Sequence, residues 1–297
     1  MNCLVTGGAG FIGSVLVDRL IKDGHCVKVI DNESAKENEK FYWNEKAENY
    51  KYDICNYDQI YGLFKNVDFV FHLGAQSRIQ PSIIDSSYTI KVNCHGTENV
   101  LHAAKENSVK KVVFSSSSSI YGLKNKLPHR EEMSRDCLNP YAISKVSGED
   151  LCTMYNKLYD LKIVILRYFN VYGDRQPTKG EYAPIVGRFL KLNQKKEKLT
   201  IVGDGGQKRD YTHVDDVVNA NILSVESSHV GDAEIINIGS GENYSIKDLV
   251  CIFGSEYEFV PTRKGEAYET LANIDKAENL LQWKPTIFLK DWLAERI

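Results

Sequence analysis

Apolar residues recur along the chain in short runs that alternate with amphipathic stretches. The longer runs are continuous and rich in β-branched residues, which predicts strands buried on both faces of a sheet, at 2–6, 26–30, 67–73, 111–114, 162–167 and 234–238. A brief run at 52–54 predicts one more short strand. Stretches with an apolar stripe predict helices at 15–20, 58–64, 93–107, 141–159, 214–218, 245–253 and 274–281. This alternation predicts an α/β fold with a Rossmann-type, doubly wound parallel sheet.

The pattern changes after the strand that ends at Arg167. Prolines and glycines interrupt the chain at 173–184, and only short elements follow, at 185–192 and 199–202. We therefore expect a smaller, loop-rich α/β lobe that binds a ligand. The predicted division is a dinucleotide-binding Rossmann domain and a smaller substrate-binding domain, formed respectively by residues 1–168 with 211–240 and by residues 169–210 with 241–297.

Composition and charge exclude several classes of protein. The chain has 297 residues, 42% of them hydrophobic, and a formal net charge of -3, which suits one large α/β unit or two closely joined lobes. There is no basic surplus of the kind that binds nucleic acid. No apolar run is long enough to span a membrane, and the chain enters its first strand without a signal peptide. We expect a cytoplasmic protein whose partners include neither nucleic acid nor membrane.

The seven cysteines and seven histidines are scattered along the sequence. They form no C-x-x-C or H-x-x-x-H spacing, so we expect no metal site. An odd number of unpaired-looking cysteines is typical of small core residues in a reducing cytoplasm.

A glycine-rich turn separates the first strand from the first helix. The run from Gly7 to Gly13 satisfies both G-x-x-G-x-x-G and G-x-G-x-x-G. Residues without Cβ let the backbone approach a pyrophosphate on the helix N-terminus, although tight packing in a purely structural turn gives the same pattern. Asp31 ends the second strand, where a carboxylate accepts both ribose hydroxyls and repels a 2′-phosphate. Because no arginine follows in Asn32-Glu33, the sequence favours NAD over NADP.

Tyr141 and Lys145 stand four residues apart in a predicted helix, so they project from one face. A free phenol has a pKa near 10, and lowering it by about three units needs roughly 4 kcal/mol. A fixed ammonium and a cationic cofactor favour the phenolate, which would make Tyr141 a proton shuttle near neutral pH. The same spacing also puts a half-buried tyrosine beside a solvated lysine on many helices. Five serines, Ser115 to Ser119, follow a strand upstream, where they form either a polar loop or part of a crevice.

His72 lies near the end of the predicted strand at 67–73, and Gly74 to Gln76 follow it. The histidine is either a catalytic base or a hydrogen-bonded core residue. Its position in a buried strand favours the core residue.

Motifs in a fixed order cover nearly the whole chain; they are TGGAGFIG (6–13), DN (31–32), DI (53–54), HLGAQ (72–76), SSSSSIYG (115–122), YAISK (141–145), RYFNVYG (167–173), GDGGQKRDYTHVDDV (203–217), NIGSG (237–241) and RKGE (263–266). In these motifs the chain resembles the extended short-chain dehydrogenase/reductase family. Within that family it is similar to the NAD-dependent 4-epimerases of nucleotide sugars such as UDP-galactose and UDP-N-acetylglucosamine.

The resemblance implies a role for individual residues. The catalytic set would be Ser117, Tyr141 and Lys145. The residues that would contact NAD are Gly7, Gly10, Phe11, Ile12, Gly13, Asp31, Asn32, Asp53, Ile54, Leu73, Ala75, Asn93, Lys145 and Phe169. Those that would contact the nucleotide sugar are Ser117, Tyr141, Asn170, Thr200, Val202, Arg209, Arg263, Glu266 and Thr270.

Arg209 and Arg263 would hold the substrate diphosphate, since a guanidinium fork matches its oxygens; a surface ion pair is the alternative for either one. The chain departs from the family pattern at three positions. Glu266 and Asn273 replace aspartates, and Val202 replaces an aromatic residue that packs on the base. The identity of the base therefore stays open.

The implied reaction inverts C4 of a UDP-hexose or UDP-N-acetylhexosamine through a 4-keto sugar. Tyr141 would move the proton of the 4-hydroxyl, and Ser117 would hydrogen-bond its oxygen. Dehydration relies on an Asp-Glu pair where this chain has Ser118-Ser119, and reduction with a phosphorylated cofactor is opposed by Asp31. A uronic acid epimerase, a decarboxylase and, more remotely, a non-enzymatic dinucleotide-sensing regulator stay open.

Two further expectations concern the assembly and the sugar. The helices after Asn93 and after Tyr141 carry apolar residues that one sheet face does not cover, and the family pairs through such helices, so we expect a homodimer. Thr270 aligns with a wall of the sugar pocket, where a small residue leaves room for a 2-acetamido group. Alternatively, this β-branched residue simply begins a strand.

Overall fold

The structure is a computed structural model that describes residues 1–180 and 182–297. Its strands, numbered along the chain, are β1 (Asn2–Thr6), β2 (Cys26–Ile30), β3 (Glu48–Tyr50), β4 (Phe69–His72), β5 (Lys111–Ser117), β6 (Ile163–Tyr168), β7 (Val171–Tyr172), β8 (Leu199–Val202), β9 (Lys208–Asp210), β10 (Thr212–His213), β11 (Asp232–Ile238), β12 (Asn243–Ser245) and β13 (Tyr257–Val260). Its α-helices are α1 (Phe11–Lys22), α2 (Tyr57–Ile60), α3 (Ile79–Ile84), α4 (Ser86–Ile90), α5 (Gly96–Glu106), α6 (Pro140–Tyr159), α7 (Ile185–Gln194), α8 (Val214–Glu226), α9 (Ile246–Phe253), α10 (Asp275–Leu281) and α11 (Leu289–Ala294).

Seven strands form one parallel sheet in the order β11-β6-β5-β4-β1-β2-β3. The order reverses between β1 and β4, and ligands of such sheets bind outside the carboxyl ends of the strands at this point. Helices cover both faces, because strands that are apolar on both sides must be buried on both sides. The predicted Rossmann-type α/β fold is confirmed.

The expected strand at 52–54 was wrong, because the third strand is Glu48–Tyr50. It lies at the edge of the sheet beside Lys28 to Ile30, and its polar residues give no apolar signal. Residues 52–54 instead lead into a turn. There the carboxylate of Asp53 accepts a hydrogen bond from the backbone N–H of Cys55 at 2.8 Å.

The serine run continues a strand that the sequence ended too early. Ser115 to Ser117 belong to β5, and a 3-10 turn takes over at Ser118–Tyr121. Helices α3 and α4 were not predicted, because they are short and follow the polar segment after Gln76. The predicted helix from Asn93 begins instead with a π-helical turn at Lys91–His95.

Two large hydrophobic clusters pack against the two faces of the main sheet, and a third holds the loop-rich part of the chain together. The third includes Tyr172, Phe189, Leu249 and Trp292. The division of the chain into two domains at the predicted boundaries stays a prediction.

The cysteines only partly follow expectation. Each is a free thiol, yet only Cys3 and Cys152 are buried, while Cys26 and Cys251 are exposed. In the described part of the chain no helix is long and apolar enough to cross a membrane.

Candidate active site

A cavity of about 470 Å³ opens at the carboxyl ends of the central strands. Most residues that the sequence predicted to bind ligands line it together; they are Gly7, Gly10, Phe11, Ile12, Gly13, Asp31, Asn32, Ile54, Leu73, Ala75, Ser117, Tyr141, Lys145, Asn170, Val202, Arg209, Arg263, Glu266 and Thr270. The cavity therefore joins the glycine turn at one end to the arginines at the other.

The glycine turn is shaped for close approach of backbone segments. Gly7 has φ +68, and a Cβ on Gly13 would lie 2.1 Å from the carbonyl oxygen of Gly7. Gly10 is the N-cap residue of α1. Because it has no side chain, it cannot accept a hydrogen bond from the first N–H groups of this helix. Free N–H groups at the start of a long helix bind a phosphate. The turn fits the pyrophosphate of a dinucleotide.

Asp31 stands where the adenosine ribose of such a cofactor is expected. Its two carboxylate oxygens accept hydrogen bonds from the backbone N–H groups of Ala9 at 3.1 Å and Glu33 at 2.8 Å. Burial raises its pKa, and these two N–H groups oppose the increase. Each oxygen keeps a lone pair for a ribose hydroxyl. The residues present therefore fit NAD.

Helix α6 places the tyrosine and the lysine. Asn139 caps its first turn by accepting a hydrogen bond from Ala142 N–H at 2.8 Å, and Pro140 occupies the position where the missing N–H costs nothing. The backbone N–H of Tyr141 donates to Ser82 Oγ at 3.1 Å. Lys145 Nζ donates to the carbonyl oxygen of Ser115 at 2.8 Å. The helix start is thus fixed to β5 and to α3.

Burial is the largest influence on the pKa values of Tyr141 and Lys145. Burial lowers the pKa of Lys145 to about 8. Burial raises the pKa of Tyr141, while a polar contact with Ser117 and the positive charge of Arg78 oppose the increase. Lys145 Nζ lies 5.9 Å from the centroid of the Tyr141 ring.

A buried ion pair lies behind the serines and holds α6 against the sheet. Arg167 donates to the two carboxylate oxygens of Glu149 at 2.8 Å each, and both residues are almost inaccessible to water. Ser116 Oγ donates to the same carboxylate at 2.6 Å. Because Glu149 is on α6 and Ser116 precedes Ser117 on β5, this network fixes the spacing between Tyr141 and Ser117.

The other end of the cavity is formed by side chains from separate loops. Arg209 Nη2 lies 3.7 Å from Glu266 Oε2, and Gln80 Nε2 donates to Glu266 Oε1 at 3.3 Å. The guanidinium carbon of Arg263 lies over the ring of Tyr182, 5.6 Å from its centroid. Arg209 and Arg263 both reach the cavity, where a diphosphate would bind to them.

Four predicted ligand-binding residues do not line the cavity. Asp53 accepts a hydrogen bond at 3.2 Å from Asn32, which itself lines the cavity. Asn93 is buried and bonds to Gln76 and Ser144. Phe169 packs against Tyr121. The hydroxyl of Thr200 is buried and has no hydrogen-bond partner among the described residues.

His72 is a core residue, as its strand position favoured. It is 2% exposed, and its ring nitrogens lie 2.7 Å from Thr6 Oγ1 and 2.9 Å from Thr97 Oγ1. Burial lowers its pKa to about 3. Such a histidine is neutral and committed to hydrogen bonds, so it offers no proton to the cavity.

Several cavity residues were missed by the sequence reasoning, including Arg78, Gln80 and Tyr182. Arg78 and Gln80 lie just beyond the HLGAQ motif, in a segment that gave no periodic signal. The available signal was a single arginine in the loop after a strand, at the edge of the sheet where ligands bind. No group of three or more histidine, cysteine or carboxylate side chains suited to a metal ion occurs within residues 1–180 and 182–297.

Comparisons with known proteins agree with this geometry. Residues 3–239 match the NAD dependent epimerase/dehydratase family. The UDP-glucose 4-epimerase of Mycolicibacterium smegmatis is 36% identical over 309 residues, an alignment that covers 100% of this chain and 97% of the relative.

Two solved structures show the likeness in three dimensions. The UDP-glucose 4-epimerase of Thermotoga maritima with UDP-glucose has a TM-score of 0.94 and 37% identity, covering 100% of this chain and 97% of its own. The UDP-glucuronic acid 4-epimerase of Bacillus cereus, in complex with UDP-glucuronic acid and NAD, has a TM-score of 0.89 and 34% identity, covering 100% and 98%.

Proposed function

This chain belongs to the NAD-dependent epimerase/dehydratase family, and from that premise we propose that it inverts C4 of a UDP-hexose or UDP-N-acetylhexosamine. Its cofactor is NAD. The observation that carries the proposal is one cavity that is lined by Ser117, Tyr141 and Lys145 together with the glycine turn, Arg209 and Arg263. A redox site that serves a dinucleotide cofactor and a diphosphate-bearing substrate needs these groups in one cavity.

Tyr141 moves the proton in the proposed reaction. As a phenolate it takes the proton from the 4-hydroxyl of the sugar, and the phenol so formed returns the proton to the same oxygen after the 4-keto sugar has rotated. Ser117 hydrogen-bonds that oxygen. NAD, when bound, supplies the reversible redox chemistry at C4. Lys145 holds the ribose of the cofactor, and its charge favours the phenolate.

Arg209 and Arg263 hold the UDP diphosphate, so the sugar can turn while the nucleotide stays fixed. A fixed nucleotide and a mobile sugar suit an epimerase, since both faces of the 4-keto sugar must be presented to the same cofactor. Asn170, which donates to the Asp210 carbonyl at 3.0 Å, borders the sugar end of the cavity.

The test is turnover of a matched panel of UDP-sugars. UDP-glucose, UDP-galactose, UDP-N-acetylglucosamine, UDP-N-acetylgalactosamine and UDP-glucuronate would each be incubated with the purified protein and followed by anomeric NMR. We expect interconversion of C4 epimers with no net change of cofactor. Release of carbon dioxide from UDP-glucuronate would indicate a decarboxylase instead, and no conversion of any sugar would favour a regulator.

We also propose that the protein is a homodimer. The helix after Asn93, α5, leaves no large apolar side chain exposed, contrary to expectation. Exposed apolar side chains occur instead on α4, which precedes it, and on α6: Ile90, Ile143, Leu158 and Tyr159 are 39%, 48%, 66% and 47% exposed. Exposed apolar residues on two helices that are in contact favour association with a second copy. Light scattering should give about twice the chain mass of 33.7 kDa, and a monomer at micromolar concentration would contradict it.

A further inference from the structure

The carboxylate of Asp210 is the centre of a hydrogen-bonded cluster beside the substrate end of the cavity. Asp210 is the last residue of β9 and is inaccessible to water. Its Oδ1 accepts hydrogen bonds from the N–H of Ser240 at 2.7 Å and from the Ser240 hydroxyl at 2.8 Å. Its Oδ2 accepts hydrogen bonds from the N–H groups of Gly241 and Ala272, each at 3.0 Å. One side chain therefore joins β9 to two other segments of the chain.

An ionised carboxylate is the side-chain group that satisfies these donors. It has about four lone-pair sites and carries no hydrogen, whereas the amide of an asparagine has two lone pairs on one oxygen and an NH2 group. A buried carboxylate is unfavourable unless hydrogen bonds compensate its loss of water. Burial raises the pKa of Asp210 to about 6, and the hydrogen bonds from Ala272, Ser240 and Gly241 oppose the increase. The group is therefore charged at neutral pH.

The main chain of Asp210 is bonded to residues that line the cavity. Its N–H donates to Thr270 Oγ1 at 3.3 Å, and its carbonyl oxygen accepts a hydrogen bond from Asn170 Nδ2 at 3.0 Å. The residue before it is Arg209, whose Nη1 donates to the Tyr268 carbonyl oxygen at 3.0 Å. Asn170, Arg209 and Thr270 all line the cavity, and each is a direct neighbour of Asp210.

The segments around the carboxylate are closely packed. A Cβ on Gly239 would lie 2.3 Å from the Cβ of Ala272 and 2.9 Å from Oδ2 of Asp210. The carboxylate therefore touches both segments at once, and we expect a change in it to displace them relative to β9.

We propose that Asp210 is a positioning residue for the substrate, because its buried carboxylate fixes Asn170, Arg209 and Thr270 in the arrangement that binds the nucleotide sugar. The inference rests on the proposed function, which assigns Arg209 to the UDP diphosphate. Because Asp210 is inaccessible to water, it acts through these neighbours and does not contact the ligand itself.

Asp216 provides a matched control in the same chain. It is buried on α8, and its carboxylate accepts hydrogen bonds from the Thr286 hydroxyl at 2.7 Å and from the N–H groups of Thr286 and Ile287 at 3.1 and 3.0 Å. This cluster joins α8 to the segment before α11, and its three residues do not line the cavity. The two aspartates thus differ in what their neighbours do.

The first experiment measures UDP binding to the NAD-loaded protein by calorimetry. Asp210→Asn keeps the size of the side chain but sets an NH2 group against N–H donors. We expect the Kd of UDP to rise by at least about tenfold, as the loss of one hydrogen bond to a charged group predicts. The Kd of NAD should stay unchanged, because the glycine turn and Asp31 belong to other segments. Asp216→Asn should also lower Tm but leave the Kd of UDP unchanged.

Steady-state kinetics with the best substrate of the panel give a second readout. The contacts to the nucleotide are the same in the ground state and the transition state, so Asp210→Asn should raise KM while kcat changes far less. This split separates a binding role from a general loss of active protein.

A milder pair of variants decides the question if Asp210→Asn does not fold. Ser240→Ala removes one of the donors to Asp210 and should raise the Kd of UDP by at least about twofold, the lower end of what a single hydrogen bond contributes. Thr286→Val removes the corresponding hydroxyl donor to Asp216 and should leave the Kd of UDP unchanged.

Other outcomes would overturn the proposal. Equal effects of the paired variants on the Kd of UDP, or a parallel loss of NAD affinity, would assign Asp210 to the general stability of the fold. A lower kcat at unchanged KM would place its effect at the reacting groups. A wild type that binds no UDP would remove the premise. If the wild type binds UDP but turns over no UDP-sugar, the proposed function fails while the UDP affinities still decide the role of Asp210.

Discussion

The two ends of the cavity are built in different ways. At the cofactor end the backbone fixes the shape, since Gly7 N–H donates to the Ile30 carbonyl at 2.7 Å and Ala9 N–H donates to Asp31. At the substrate end, side chains from distant segments meet through longer contacts, such as Arg209 with Glu266 at 3.7 Å. A backbone turn tolerates few residue types, whereas a ring of side chains accepts many. The cofactor can therefore be inferred from local sequence, and the sugar cannot.

Tyr141 lies between the two ends, and its substitution should have the largest effect. Tyr141→Phe removes the group that exchanges the 4-hydroxyl proton but keeps the ring that fills the site. We expect turnover to fall by at least about 10²-fold, the lower end for general acid–base catalysis, with NAD still bound. Steady-state rates and NAD titration calorimetry would check both parts. A turnover rate equal to that of the wild type would contradict the proposed mechanism.

Gly13→Ala tests the rigidity of the cofactor end. The added Cβ would lie 2.1 Å from the Gly7 carbonyl oxygen, and backbone on both sides leaves little room to adjust. Overpacking of this kind costs about 1–3 kcal/mol, which should appear as a lower Tm and weaker NAD binding. Gly62→Ala is the matched control, since nothing lies within 4 Å of its Cβ position. Equal losses in the two variants would show that the turn is not the constraint.

Asp31→Ala tests whether the cofactor end selects against a 2′-phosphate. Loss of the carboxylate should weaken NAD and relax the preference for NAD over NADP, by about tenfold if roughly 1.4 kcal/mol of repulsion is removed. Because Asp31 also accepts two backbone hydrogen bonds, Asp31→Asn serves as the variant that removes the charge and keeps the size. Affinities for both cofactors would be measured by calorimetry. An unchanged ratio in both variants would mean that another residue discriminates.

The sequence predicted the sheet because its buried strands are continuous apolar runs, and it predicted the cofactor end because the turn and Asp31 are neighbours in the chain. It misplaced β3, whose polar residues at the sheet edge carry no such run. It also missed Arg78, since a loop residue comes to line the cavity only through tertiary packing. Sequence patterns describe local burial, and the site depends on long-range contacts.

Thr270 allows the smallest and most selective test, at the substrate end. It is 4% exposed, lines the cavity, and its hydroxyl accepts hydrogen bonds from Asp210 N–H at 3.3 Å and Asn170 Nδ2 at 3.4 Å. The residue therefore has a structural role as well as a place at the sugar wall. A test of substrate size has to separate these two roles.

Two variants make that separation. Thr270→Val keeps the volume and removes the hydroxyl, so any loss it causes should fall equally on all sugars. Thr270→Tyr adds bulk to the wall and should lower kcat/KM for UDP-N-acetylglucosamine relative to UDP-glucose by at least about fivefold, as overpacking by roughly 1 kcal/mol requires. The quantity to compare between variants is kcat/KM for UDP-N-acetylglucosamine divided by kcat/KM for UDP-glucose. If Thr270→Tyr and Thr270→Val change that ratio equally, the size of the pocket is set elsewhere, and acceptance of acetamido sugars has to be sought in another wall of the cavity.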